Sequence, residues 1–138
     1  MQHRFPMPRT LTEVSPAAEA VTGLMRGWTE DARDAVDLTL VEALTNIVRY
    51  GPPGEERPIL LDIDLDDSRI QIDIVDFIPP VPPDLLQRAG NSAFDFDPDN
   101  VQTIPESGRG LALILMMMDE VTLFEETDLS RLRLIRNR

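Results

Sequence analysis

Pro58-Ile59-Leu60-Leu61-Asp62-Ile63-Asp64-Leu65-Asp66-Asp67-Ser68-Arg69-Ile70-Gln71-Ile72-Asp73-Ile74-Val75-Asp76 is the stretch that decides the fold. Ile59, Leu61, Ile63 and Leu65 alternate with Leu60, Asp62 and Asp64, and Ile70, Ile72 and Ile74 alternate with Gln71, Asp73 and Val75. Strict alternation is the period of a strand with one buried face. Asp66, Asp67 and Ser68 separate the two runs, so the stretch reads as an antiparallel hairpin.

Working outward towards the N-terminus, the period changes to that of helices. Thr29 can cap a helix, Glu30 and Asp31 suit the positive end of its dipole, and Val36, Leu40, Ala43, Leu44 and Ile47 form one apolar stripe. Gly51, Pro52 and Pro53 stop it. Before it, Ser15 reads as an N-cap with Pro16 at the first helical position, and Val21, Leu24, Met25 and Trp28 repeat at helical spacing up to a weakening Gly27. Trp28 reads as a helix-end anchor. His3, Phe5 and Met7 alternate with Arg4 and Pro6, as in a short edge strand, with His3 an exposed terminal residue.

Towards the C-terminus the pattern collapses from residue 77 to 107, which hold six of the twelve prolines. A segment that long inside one domain is a lid or a disordered loop. Helical spacing returns at Leu111, Ile114, Leu115 and Met118, and a closing hairpin pairs Val121 and Leu123 with Leu132 and Leu134. The whole predicts a two-layer α/β (α+β) sandwich: a mixed, mostly antiparallel sheet with helices on one face.

The chain has 138 residues, a formal net charge of -12 and no cysteine. That length matches one domain spanning 1–138, burying roughly 68% of its unfolded surface. Without cysteine there is no disulfide, thiolate zinc site or cysteine nucleophile, and His3 as the one histidine makes a Ser-His pair a poor candidate. The acidic balance disfavours direct nucleic-acid binding. No apolar run reaches the ~20 residues of a membrane span and no signal core opens the chain, so the expectation is a cytoplasmic protein that binds no membrane.

Three constellations carry possible chemistry. In Val41-Glu42-Ala43-Leu44-Thr45-Asn46-Ile47-Val48-Arg49-Tyr50-Gly51, a spacing of four puts Glu42, Asn46 and Tyr50 on one helical face. An Asn carbonyl is a hard oxygen suited to Mg²⁺, and a carboxylate one turn away can accept a hydroxyl proton. Spacing alone fits a solvated face better. In Ser107-Gly108-Arg109-Gly110-Leu111, where the long loop enters a helix, glycines allow close backbone approach and free N–H groups suit phosphate. Glycines also end loops for purely conformational reasons. Asp76, closing an apolar strand, can accept a hydrogen bond in an apolar pocket, although a lone strand-end Asp is more often a turn former. Asp62, Asp64, Asp66 and Asp67 lack the glycine and bidentate Glu of a calcium loop and read as a solvated face. Of Met116, Met117 and Met118, which point in three directions, two are expected in the core.

In this order, the three constellations resemble the nucleotide-binding boxes of the GHKL superfamily (the Bergerat-type ATP-binding fold), which includes gyrase-type ATPases and histidine kinase catalytic domains. The chain is most similar to the anti-sigma factor serine kinases, over nearly all its length. Val41 to Gly51 resembles that family's E-A-x-T-N-x-x-x-H-G box, and Ser107 to Val121 its glycine box followed by Met-Asp-Glu-Val. The resemblance implies ATP and Mg²⁺ as cofactors, Asn46 as the Mg²⁺ ligand, Glu42 as the base for a serine hydroxyl, and Asp76 as the reader of the adenine amino group. By it, Ser107, Gly108, Arg109, Gly110 and Leu111 line the phosphates, and 77–107 is the ATP lid.

The same resemblance implies a protein-serine kinase that acts as an anti-sigma factor and phosphorylates a STAS-type anti-sigma antagonist, with a homodimer as the expected assembly. Two departures stand out. The family's D-x-G-x-[GP] pattern is here Asp76-Phe77-Ile78-Pro79-Pro80, with β-branched Ile78 at the glycine position, which disfavours φ > 0 and crowds a base. Tyr50 stands where the family has His. Ile78 motivates the alternative, a nucleotide-weak or non-catalytic partner-binding module of the same fold. A histidine kinase catalytic domain is a third reading, since Asn46 to Tyr50 also resembles N-A-x-K-[YF], but no His-bearing helical hairpin accompanies it.

Overall fold

A computed structural model describes residues 1–52, 54–77 and 106–138, with backbone alone at 106–109. The expected lid at 77–107, Ile78 included, lies almost wholly outside the described residues, as do the side chains of Ser107 and Arg109. Five strands, β1 (Gln2–Met7), β2 (Ile59–Leu65), β3 (Arg69–Asp76), β4 (Glu120–Glu125) and β5 (Ser130–Asn137), form one sheet in the order β1-β2-β3-β5-β4. All four pairings are antiparallel.

The alternation read in the hairpin is the alternation of the sheet's two faces. Ile59, Leu61, Ile63, Ile70, Ile72, Ile74 and Leu134 are buried against one helical layer. That layer holds α1 (Val14–Thr22), α2 (Glu30–Tyr50) and α3 (Glu106–Met117), with α2 in the middle touching both others. Val21, Val36, Leu40, Leu44 and Ile114 close the core from the helical side. Each fully buried aliphatic side chain of this kind contributes on the order of 1.5–3 kcal/mol relative to exposure.

Local chemistry accounts for most element ends. Thr29 accepts a hydrogen bond from the Ala32 amide at 3.2 Å, capping α2, and Glu30 and Asp31 sit in its first turn. Gly51 stops that helix with φ -69 and ψ 156, an extended conformation rather than a left-handed one. Pro52 is the cause, because its ring pushes the preceding residue out of the helical region. In the β2–β3 turn, Asp66 Oδ1 accepts from the Ser68 amide at 2.7 Å, the Ser68 hydroxyl at 2.6 Å and the Arg69 amide at 3.0 Å. Arg136 donates to the Met117 carbonyl, placing a cation at the negative end of α3.

Three expectations need correction. The first helix begins at Val14, following a 3₁₀ turn at Leu11–Glu13, so Ser15 and Pro16 lie inside its first turn and Ser15 is not the cap. Pro16 is tolerated because first-turn amides have no intrahelical acceptor to lose. That helix ends at Thr22, so Met25 and Trp28 are buried from the α1–α2 connection rather than from a helix. Gly27, at φ +80, turns the chain there, and Arg138 holds the turn by donating to the Gly27 carbonyl at 2.7 Å with its guanidinium over Trp28. Finally, His3 is half-buried: its ring stacks on Phe5, and its Nε2 is shielded from solvent without a hydrogen-bond partner.

The Asp66 cluster makes the hairpin turn sensitive to acid. The Ser68 hydroxyl first, then the Ser68 and Arg69 amides, hold the Asp66 carboxyl below its ordinary value of 3.8. A depressed carboxyl pKa gives stabilisation that is present above the unfolded value and lost as pH falls below it through the folded one. Hydrogen exchange of the Ser68 and Arg69 amides, corrected for intrinsic rate, is expected to lose protection below about pH 4. Asp66→Ala is expected to remove that protection, and its pH dependence, at pH 7.

Candidate functional site

Glu42 and Asn46 lie one turn apart on α2, and both are half-buried rather than solvated. What half-buries them is visible at Gly110 on α3. A Cβ built on Gly110 would stand 3.0 Å from Glu42 Oε2 and 3.1 Å from Asn46 Nδ2. The two polar groups of α2 therefore lie against α3 at a position where α3 has no side chain. A glycine inside a helix costs about 1 kcal/mol relative to alanine, so this position gives up helix stability for proximity. The solvated-face reading of Glu42 and Asn46 is thus overturned by α3.

Gly110 lies in the second turn of α3, which starts at Glu106. The glycine stretch accordingly forms the opening turns of the helix rather than a loop ahead of it. The first four amides of a helix lack intrahelical acceptors, and the dipole makes that end positive. The arrangement brings together a carboxylate, a carboxamide and a helix start free of side-chain bulk at Gly110. Leu111 follows, half-buried, while Ala112 and Ile114 are buried in the helix's packing face.

Tyr50, four residues beyond Asn46, is 79% exposed and takes no part in this cluster. The stripe leaves the helix–helix contact before it reaches the end of α2.

Asp76 ends the row Ile70, Ile72, Ile74 on the helix-facing side of β3, which is the side the periodicity assigns to it. Its carboxylate is not free. Arg9, just beyond β1, donates from Nη2 to Asp76 Oδ1 at 2.6 Å, with the side chains only 7% and 13% exposed. Arg9 Nε also donates to the Arg57 carbonyl at 3.3 Å. Sequence reading missed Arg9 because nothing in Pro8-Arg9-Thr10 marks it, and its partner lies 67 residues away.

A second buried carboxylate also escaped notice. Asp73, on the opposite face of β3, accepts from Arg133 Nε at 2.9 Å and Nη2 at 3.0 Å, and from Arg131 Nη1 at 3.1 Å. Asp73 holds the Arg133 guanidinium above its ordinary pKa, chiefly through these hydrogen bonds. The facing charges were available as a signal, since β3 and β5 are both alternating strands. Every Asp73 oxygen is engaged, which marks it as a structural pair rather than a reactive group.

The residues present fit a nucleotide and its cation. A carboxamide oxygen is a hard donor of the kind Mg²⁺ takes when phosphates and water complete its shell. Because Gly110 carries no side chain, the polar ends of Glu42 and Asn46 lie close against the opening turns of α3, where the unpaired first-turn amides also stand. Among the described residues no group of three or more acidic or histidine side chains is gathered for a metal, so a cation here would depend on oxygens from its ligand. Among the same residues no helix is long and apolar enough to cross a membrane.

Comparison with known proteins bears on the family and the fold. No curated protein matches the chain. Among solved structures, a chain of the SiaB-SiaC complex from Pseudomonas aeruginosa is similar at a TM-score of 0.69 and 16% identity, covering 96% of this chain and 88% of that one. At that identity the likeness shows a shared fold. The family model for the histidine kinase-like ATPase domain matches residues 7–136, from the end of β1 to the last strand. The chain therefore belongs to the histidine kinase-like ATPase family.

Proposed function

We propose that this protein is an ATP-dependent protein-serine kinase of the anti-sigma type, which phosphorylates a STAS-type antagonist and otherwise holds a sigma factor. The observation that carries the catalytic part is the Gly110 contact, which sets Glu42 and Asn46 against the opening turns of α3. The partner part is supported by the resemblance of the Val41–Gly51 and Ser107–Val121 stretches to that family. It is also supported by the fold shared with a protein solved as a two-component complex. A chain of this size with a net charge of -12 has an acidic exterior suited to a basic partner surface. A homodimer is part of the same proposal, and the cytoplasm is the compartment where ATP and a sigma factor would both be met.

In this reading Asn46 would hold Mg²⁺ through its side-chain oxygen, and the cation neutralises phosphate charge when bound. The first-turn amides of α3 bind and orient the phosphates, with Ser107, Gly108, Arg109, Gly110 and Leu111 along them. Glu42 accepts the proton of the incoming serine hydroxyl as its oxygen bonds to the terminal phosphorus and the bond to the leaving diphosphate oxygen breaks. Asp76 accepts the amino group of the base. Positioning carries most of the rate, because the phosphoryl group needs little covalent help from the protein.

Ile78 favours a second reading, a partner-binding module in which nucleotide is weak or absent. A titration with ATP by calorimetry, with and without Mg²⁺, separates the two. The kinase reading expects Mg²⁺-dependent binding that weakens about ten-fold or more in Asp76→Asn, since the lost charge-assisted hydrogen bond is worth on the order of 1.5–3 kcal/mol. Absence of binding at millimolar ATP would transfer the function to the binding module.

Gly110→Ala gives opposite expectations for stability and activity. Helix propensity favours alanine by about 1 kcal/mol, and only the mobile ends of Glu42 and Asn46 have to shift. Chemical denaturation is therefore expected to show a variant as stable as the wild type or slightly more so. Its phosphoryl transfer is expected to fall at least ten-fold, because displacing the pair by a few tenths of an ångström disturbs the reacting geometry. Glu42→Gln is expected to abolish transfer to a serine-bearing STAS substrate while ATP affinity stays within about two-fold, as for a lost proton acceptor. Unchanged transfer in Glu42→Gln would remove Glu42 from the mechanism.

A further inference from the structure

Arg9 belongs to none of the three boxes, yet among the described residues it makes a well-buried ion pair on the helix-facing side of the sheet. Its Nη2 takes Asp76 Oδ1 at 2.6 Å, and its Nε reaches the Arg57 carbonyl at 3.3 Å. The third nitrogen, Nη1, is shielded from solvent and has no acceptor among the described residues. A guanidinium nitrogen in that state is costly, because its hydration is gone and no acceptor replaces it. The side chain is 7% exposed, so the unpaired donor is held in place rather than free to swing into water.

We infer that Arg9 is a specificity-determining residue of the nucleotide site, presenting Nη1 as a donor beside the Asp76 carboxylate so that the pair reads a six-aminopurine edge. The inference rests on the ATP-binding reading above and adds a residue to it. With Oδ1 fixed on Arg9, Asp76 offers Oδ2 as the remaining acceptor. A guanidinium is planar and rigid, so binding Asp76 through Nη2 fixes Nη1 next to that carboxylate. The pair is then an acceptor and a donor side by side. Adenine presents the complement, the six-amino group as donor and ring N1 as the neighbouring acceptor. Arg9 also acts on Asp76 as a positioning residue, since a buried carboxylate without its counter-charge would be strongly penalised.

Calorimetric titration of the full chain with Mg²⁺ and four nucleotides tests this: ATP, 1-deaza-ATP in which N1 is a C–H, purine riboside triphosphate which lacks the amino group, and GTP. Wild type is expected to bind ATP about ten- to a hundred-fold more tightly than either adenine analogue, as for a hydrogen bond to a charged group. Arg9→Lys keeps a cation on Asp76 but loses the second planar donor. It is expected to retain the penalty for the missing amino group and to lose the penalty for the missing N1. Arg9→Met is expected to lose ATP affinity to the level of 1-deaza-ATP or below.

Four results overturn the assignment while leaving nucleotide binding intact. They are no 1-deaza penalty in the wild type, the full 1-deaza penalty persisting in Arg9→Lys, ATP binding in Arg9→Met as tight as or tighter than in the wild type, and a wild-type preference for GTP. The third would make Arg9 a mere occupant of the Asp76 carboxylate. Failure of the wild type to bind any of the four at millimolar concentration overturns the ATP-binding reading itself, and this assignment with it.

Discussion

The absence of a side chain at Gly110 lets the polar ends of Glu42 and Asn46 lie against α3, and the proposed site depends on that contact. A methyl group there would meet Glu42 Oε2 at 3.0 Å and Asn46 Nδ2 at 3.1 Å, so the glycine lets two polar groups of the middle helix lie against a neighbouring backbone. Everything beneath them is ordinary packing. Val36, Leu40 and Leu44 anchor α2 on the sheet, and Ile114 does the same for α3. The core thus anchors both helices, and the glycine leaves the ends of Glu42 and Asn46 room beside the α3 backbone. A polar pair half-buried there is sheltered enough for electrostatic effects to be strong and open enough to meet a ligand.

The two ends of the helix-facing layer are organised by different physics. At Gly110 the working principle is space, with donors supplied by a helix start. At Asp76 it is charge, since a carboxylate near the end of an apolar row can persist there only with Arg9 as partner. Arg9 ties the segment after β1 to the end of β3, so this end of the layer is held by a charged pair rather than by apolar packing.

What was legible in the sequence was whatever neighbouring residues decide between themselves. The alternation in 59–76, the Asp66 turn and the Thr29 cap are local, and each is found where it was read. The end of α1 was misread because Leu24, Met25 and Trp28 keep helical spacing while the chain is already turning. Burial alone set that pattern, and the φ +80 of Gly27 and the clamp from Arg138, 111 residues away, set the path. The candidate site divides in the same way. Glu42 and Asn46 were identifiable as one helical face, but only the tertiary contact with Gly110 distinguishes that face from a solvated one. The Arg9–Asp76 pair joins residues 67 positions apart with no periodicity to mark Arg9, and the Arg133–Asp73 pair, 60 positions apart, was visible only as opposite charges on two alternating strands whose pairing no local pattern fixes.

The face of the sheet turned away from the helices carries a row of charged residues. Arg4, Asp62, Asp73 and Arg133 stand directly opposite one another across β1, β2, β3 and β5. Two carboxylates facing each other on adjacent strands repel, and the arginines that bracket them convert the clash into a neutral row. Arg4 Nε meets Asp62 Oδ1 at 2.6 Å, and Arg133 lies over the Phe124 ring at 4.9 Å while holding Asp73. The arginine stems shield apolar surface, and Val75 and Ile135 beside them are buried. On this face Asp73 is fully bonded and Asp62 is paired. On the helical side, Arg9 Nη1 has no acceptor among the described residues, and the polar ends of Glu42 and Asn46 lie close against Gly110. A binding site needs unmet hydrogen-bonding capacity held rigidly, and Arg9 offers it from the segment after β1, on the side of the sheet that the helices cover.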